Sequence, residues 1–109
     1  VEAAMFAPGE TLHAPHLLDV DVMNVIRRHA AFGLISPQRA LESLEDLADL
    51  QVIRYSHVEL TPAIWALRHN FSAYDATYVA LADLLGAKFL TLDGKLANAV
   101  RAHTSVDLA

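Results

Sequence analysis

Between Ser72 and Gly86 the chain carries a segment with few places to go. Ala76, Val79, Ala80, Ala82, Leu84 and Leu85 leave little polar face on a helix opened by Ser72 and Asp75, in the outline of a capping box, and closed by Gly86. A helix that is apolar almost all round has to be buried on most sides. It is too short for a membrane span, which needs roughly 18–20 uninterrupted apolar residues, and no other stretch comes closer. The 109 residues suffice for one ordinary core.

The remaining elements follow one another through short connections. Val1 to Phe6 read as the end of a helix broken by Ala7-Pro8-Gly9, and Thr11 to Ala14 as a short strand. From Pro15 to His29, Leu18, Val22, Val25 and Ile26 recur at helical spacing, with Arg27 and Arg28 where cations suit the helix dipole. Ser36-Pro37 opens a second helix that continues through Leu41, Leu44, Leu47 and Leu50 and pairs with the first. Val52 to Val58 read as a strand, and Thr61-Pro62 opens a helix reaching Leu67. Lys88 to Thr91 form a strand, Lys95 to about Ala102 a helix, and Ser105 to Leu108 a terminal strand. Alternating helices and strands predict an α/β domain with a parallel sheet covered on both faces.

Composition removes several chemistries. Without cysteine there is no disulfide framework, no thiolate nucleophile and no cysteine-held zinc. A net charge of −5 gives no broad basic face to hold nucleic acid, so a nucleic-acid binder of this charge would need metal ions. An acidic protein is equally suited to a basic partner peptide. With no basic-then-apolar start and no span, a soluble cytoplasmic protein is the default expectation. The six histidines, His13, His16, His29, His57, His69 and His103, lack ligand spacing and read as surface or packing residues.

Ligands in open α/β sheets collect beyond the carboxyl ends of the strands. Asp93, just after the strand ending at Thr91, and Asp75, in the first turn of the apolar helix, are therefore candidates, although a carboxylate at either place also suits a helix cap. On the first long helix Asp19 and Asp21 flank the apolar stripe on opposite sides, and the helical wheel does not choose between them.

Taken together, three segments resemble the PIN domains of VapC-type toxins. They are Ala14-Pro15-His16-Leu17-Leu18-Asp19-Val20-Asp21-Val22 with Arg27-Arg28; Leu67 through Ala82, with its Tyr-Asp-Ala-x-Tyr-x-Ala-Leu-Ala pattern from Tyr74; and Leu90-Thr91-Leu92-Asp93. The resemblance runs over nearly the whole chain and implies an α/β/α sandwich whose acids converge to hold Mg2+ or Mn2+ for RNA cleavage. It sets Asp21 at the family's helix acid, usually a glutamate, and Asp75 and Asp93 at the later aspartates. Asp19 is left as a surface or capping residue, with Thr91 and Asn24 as hydroxyl and amide supports for the cluster. His69 is expected to brace the turn into the Asp75 helix, and Trp65 to be core or interface rather than a base-stacking platform.

The family's first acid ends an N-terminal strand that nothing here matches, and Glu2 and Glu10 are poor substitutes. Residues 1–109 are thus expected to be one PIN domain, incomplete at its N-terminus, with sheet edges left unpaired. An extension of roughly 20–30 residues, enough for a strand, a turn and most of a helix, would then restore metal-dependent cleavage.

The reading that follows is an endoribonuclease toxin, working on RNA by metal-activated water, held in check by a VapB-type antitoxin, and dimeric. Its alternatives are a PIN nuclease of RNA processing without a toxin role, and a non-catalytic PIN-like module that binds a protein partner.

Overall fold

A computed structural model of the chain describes residues 3–6 and 11–109, with side chains from residue 11 onward. The Ala7-Pro8-Gly9 break and the acids Glu2 and Glu10 lie outside the described residues. The elements run β1 (Ala3–Phe6), β2 (Leu12–Pro15), α1 (Leu17–Ala31), α2 (Pro37–Asp49), β3 (Ile53–Tyr55), a 3-10 turn (Val58–Leu60), α3 (Thr61–Ala66), α4 (Ala73–Leu85), β4 (Lys88–Thr91) and α5 (Gly94–His103).

The cap signals are read correctly at both ends of α4. The Ser72 hydroxyl accepts from the Asp75 amide at 3.1 Å, and Gly86 adopts the left-handed conformation (φ 61°) that a side chain would strain. The Ala87 amide then reaches back to the Ala82 carbonyl at 3.0 Å. Between these caps the helix is buried without a break from Ala76 to Ala82. Thr77, the polar residue in that run, returns its hydroxyl to the Ala73 carbonyl at 2.7 Å. Leu84, counted from sequence among the apolar residues of this helix, is exposed. At Ser36 the same device recurs, the hydroxyl accepting from the Arg39 amide at 3.1 Å.

The strands form one sheet in the order β3-β2-β1-β4. β2 and β3 are parallel, while β1 is antiparallel to both β2 and β4, so β2, β3 and β4 all point the same way. Helix α4 packs across β2, β1 and β4, α1 against β2 and α5 against β4. Phe89, Leu81 and Val100 are closed off at the centre of the core.

The α/β class is as expected, and two details of the expectation change. The segment ending at Phe6 is a strand, not a helix end: Ala3↔Thr91 to Phe6↔Lys88 pair on one side, Met5↔His13 and Phe6↔Leu12 on the other. The reason is tertiary, because backbone groups of β2 and β4 facing one another across a gap would lack partners. A segment joined to β2 by the short connection 7–11 can return only antiparallel, since parallel neighbours need a crossover of a dozen or more residues. The expected parallel strands are β2, β3 and β4, and β1 is inserted antiparallel between β2 and β4. The terminal segment contributes one parallel bridge, Phe89↔Leu108, beside β4. The strand expected over Val52–Val58 is cut to three residues, because the Ser56 hydroxyl takes the Val58 amide and starts the 3-10 turn.

Candidate active site

Because β2, β3 and β4 share a direction, their carboxyl ends lie along one edge, where an open α/β sheet collects ligands. From the end of β2 the chain enters α1, whose second turn carries Asp21; from the end of β4 it passes Leu92 to Asp93.

Asp21, on α1, is held by a phenol of α4. The Tyr78 hydroxyl donates to Asp21 Oδ2 at 2.6 Å, across 57 positions of sequence. Tyr78 stands three residues after Asp75 on α4, one turn along the same face. The tyrosine is 5% exposed. Its pKa is driven far above the ordinary value of 10, first by burial, then by the hydrogen bond to Asp21, then by the negative charges of Asp21, Asp19 and Asp75. The phenol thus lies in the combined field of three carboxylates.

The aspartate pair that the helical wheel left open is separated by its partners. Asp19 takes a two-pronged grip from the Arg54 guanidinium of β3, Nε to Oδ2 at 2.8 Å and Nη2 to Oδ1 at 3.0 Å, and Arg54 Nη2 also reaches the Leu47 carbonyl at 3.2 Å. This ion pair ties α1, β3 and the end of α2 together. It is more than the surface or capping role expected of Asp19.

Asp93 stands apart from the Tyr78 centre in its bonding. It caps α5, Oδ1 accepting the amides of Lys95 at 2.9 Å and Leu96 at 3.3 Å. Thr91 supports Asp93 through its backbone: Thr91 Oγ1 accepts the Asp93 amide at 3.1 Å, closing the turn out of β4. Asn24 turns its carbonyl oxygen to Arg27, receiving Nε at 3.2 Å and Nη2 at 3.0 Å, on the exposed side of α1.

The expected metal can be set against these donors. Among the described residues no three His, Asp or Glu side chains lie together in a group able to hold an ion. The carboxylates of Asp21 and Asp75 are oxygen-only and anionic donors. They suit a hard cation such as magnesium, which commonly uses one or two protein carboxylates and keeps its waters.

Other sequence expectations divide. The turn into α4 is braced by Arg68, whose Nη1 donates to the Trp65 carbonyl at 3.0 Å and whose guanidinium lies 4.7 Å from the Trp65 ring centre. Buried Phe71 adds an edge-on contact with His103. His69 is exposed and does not supply that brace. Trp65 is 67% exposed and so is not core. His13 is a packing histidine: buried in β2, its Nδ1 lies 2.7 Å from the Tyr55 hydroxyl, and its Nε2 has no hydrogen-bond partner among the described residues.

Tyr78 is the functional candidate that the sequence reading passed over. The signal was present, since a tyrosine on a helix with no other polar face must bring its hydroxyl to a partner. It also stands one turn from an acid already singled out.

Comparison with known proteins agrees with the resemblance. No protein-family model matches the chain. Ribonuclease VapC9 of Mycobacterium tuberculosis is 38% identical over 108 residues, covering 96% of this chain and 83% of VapC9. Ribonuclease VapC12 of the same species is 35% identical over 100 residues, covering 92% and 78% respectively. Ribonuclease VapC3 of Pyrobaculum aerophilum is 39% identical over 93 residues, covering 82% and 71%. A match of this extent to bacterial and archaeal relatives alike defines the class, a PIN-type α/β ribonuclease. The chain belongs to the VapC ribonuclease family.

Proposed function

We propose that the protein is an endoribonuclease toxin of a toxin-antitoxin pair, a single PIN domain over residues 1–109 that acts on RNA in the cytoplasm with Mg2+ or Mn2+. The observation that carries the reading is kinship to the VapC ribonucleases over most of the chain, supported by Asp21 bound to Tyr78, which stands one turn from Asp75 on α4. Asp21 and Asp75 would hold the cation, and Asp93 would complete the acidic edge through the carboxylate that caps α5. A divalent ion bound there supplies polarisation of the scissile phosphate and a more acidic water. The protein's part is to present two fixed carboxylates, with Asn24 and Arg27 one and two turns further along α1 as donors for the RNA backbone.

The α1–α2 pair supports the partner half of the reading. Val20, Met23, Phe32, Leu34, Leu41 and Leu44 are all exposed on α1, α2 and the turn between them, apolar surface of the kind used in protein contacts. It suits a VapB-type antitoxin whose C-terminal segment sends a basic side chain to the acidic edge. A homodimer through apolar helical surface completes the proposal. Among the described residues no helix is long and apolar enough to cross a membrane.

The test is RNA cleavage with Mg2+ or Mn2+ by the purified chain carrying the N-terminal extension expected from its sequence. Activity should disappear with chelator and fall on the order of 100-fold or more in Asp75→Asn, while Asp19→Asn, which breaks the Arg54 pair, should cost stability and spare most cleavage. Equal losses in the two variants would overturn the assignment. Growth arrest on expression, relieved by the antitoxin, separates a toxin from an RNA-processing nuclease. Backbone NMR signals of Asp75 that ignore Mn2+ would favour a non-catalytic binding module.

A further inference from the structure

We propose that Tyr78 is a positioning residue for the ribonuclease reaction, its hydroxyl occupying Oδ2 of Asp21 so that this carboxylate offers the cation one oxygen, Oδ1. The inference rests on the reading of Asp21 and Asp75 as cation ligands and adds how one of them is aimed.

Three observations carry it. The contact is short, 2.6 Å, in the range of a hydroxyl donating to an ionised carboxylate. The donor is rigid, because the Tyr78 ring belongs to the buried core and a tyrosine side chain has only two rotatable angles. Finally, the donor and the second proposed ligand, Asp75, are one turn apart on α4, so the same helix both supplies one carboxylate and aims the other across to α1.

The need for such a device follows from the residue at position 21. An aspartate side chain is short and has little freedom to find a cation by rotating. A carboxylate with both oxygens loose would chelate, bridge or turn away; one held at Oδ2 has a single orientation. Ligand-orienting partners of this kind typically change metal affinity by about 10–100-fold when removed. The competing view is that Asp21 merely satisfies a buried phenol, and the two views differ in what metal binding should do.

The experiment is calorimetric titration of Mn2+ into the full chain without RNA, for wild type, Tyr78→Phe, Asp21→Asn, Asp75→Asn and the Tyr78→Phe/Asp21→Asn double variant, with thermal unfolding of each. Tyr78→Phe should weaken Mn2+ binding roughly tenfold and lower kcat more than it raises KM, and it should add nothing to Asp21→Asn. Unchanged or tighter Mn2+ binding by folded Tyr78→Phe, or an equal loss in the Asp21→Asn background, would overturn the inference while leaving the ligand reading intact. Mn2+ affinity unmoved by both Asp21→Asn and Asp75→Asn would remove the ligand reading, and this inference with it. Should Tyr78→Phe not fold, wild-type protein with 13C-labelled tyrosine decides: substoichiometric Mn2+ should broaden the Tyr78 ring signals before those of Tyr55, and a Tyr78 signal that stays sharp counts against the proposal.

Discussion

Helices α2 and α4 are each 13 residues long and each is opened by a serine whose hydroxyl accepts the amide three residues on. Locally they are built alike, yet α4 is buried continuously from Ala76 to Ala82, whereas no residue of α2 is buried. One helix lies across the sheet as the centre of the core; the other leans on α1 at the outside, with Leu41 and Leu44 in solvent. A cap decides where a helix starts and says little about what holds it. For α4 the hold is burial. For α2 it is the cap, the packing on α1, and the Leu47 carbonyl tied to Arg54.

The sharpest test of this contrast is a matched truncation. Leu81→Ala, at a site with no exposure, should cost about 2–5 kcal/mol. Leu41→Ala, at an exposed site, should stay within about 0.5 kcal/mol. Chemical denaturation measures both, and comparable losses would mean that α2 is covered in solution. The same pair should reverse in antitoxin binding, where Leu41→Ala is the variant that weakens the complex.

A middle-sized effect is expected at the join between the two regions. Asp19→Asn leaves the part-buried Arg54 guanidinium without its carboxylate, and should lower stability by about 1–2 kcal/mol with Mn2+ affinity retained. If Mn2+ binding falls as far as in Asp21→Asn, the division of labour between the two aspartates is wrong.

Smaller still is the loss of a cap. Ser36→Ala and Ser72→Ala should each cost about 1 kcal/mol, but amide exchange should tell them apart. The first should speed exchange within α2 alone, by local opening, and the second should leave α4 exchanging only through global unfolding. The last effect is on how stability varies with pH, and it runs through Tyr78. Its pKa is raised in the folded state, so above about pH 10 the unfolded chain loses a proton that the folded chain keeps, and stability falls as pH rises. Below that the contribution is fully present and does not vary with pH. In Tyr78→Phe this part of the alkaline decline should vanish, and a decline of unchanged slope would show that Tyr78 does not contribute to it.

Local signals were legible wherever the neighbouring chain decides the outcome. Ser36, Ser72 and Gly86 bound their helices as read, and the unbroken apolar character of α4 placed it in the core. The acids Asp21, Asp75 and Asp93 were read from a pattern of residues, and in the fold Asp21 is held by Tyr78 while Asp93 caps α5. Long-range pairings were not legible: Arg54 with Asp19 spans 35 positions and Tyr78 with Asp21 spans 57. No periodicity marks which of two aspartates faces an arginine and which a tyrosine.

The sequence by itself determined the class of fold, the positions of the helices and the family, because caps, apolar spacing and motif residues act over a few positions of chain. Only the tertiary structure decided the direction of β1, the separate fates of Asp19 and Asp21, and the exposure of α2. Those depend on which backbone groups and charges are left facing one another once the sheet and α4 have come together, and a strand of four residues takes its conformation from the two neighbours whose hydrogen bonds it completes.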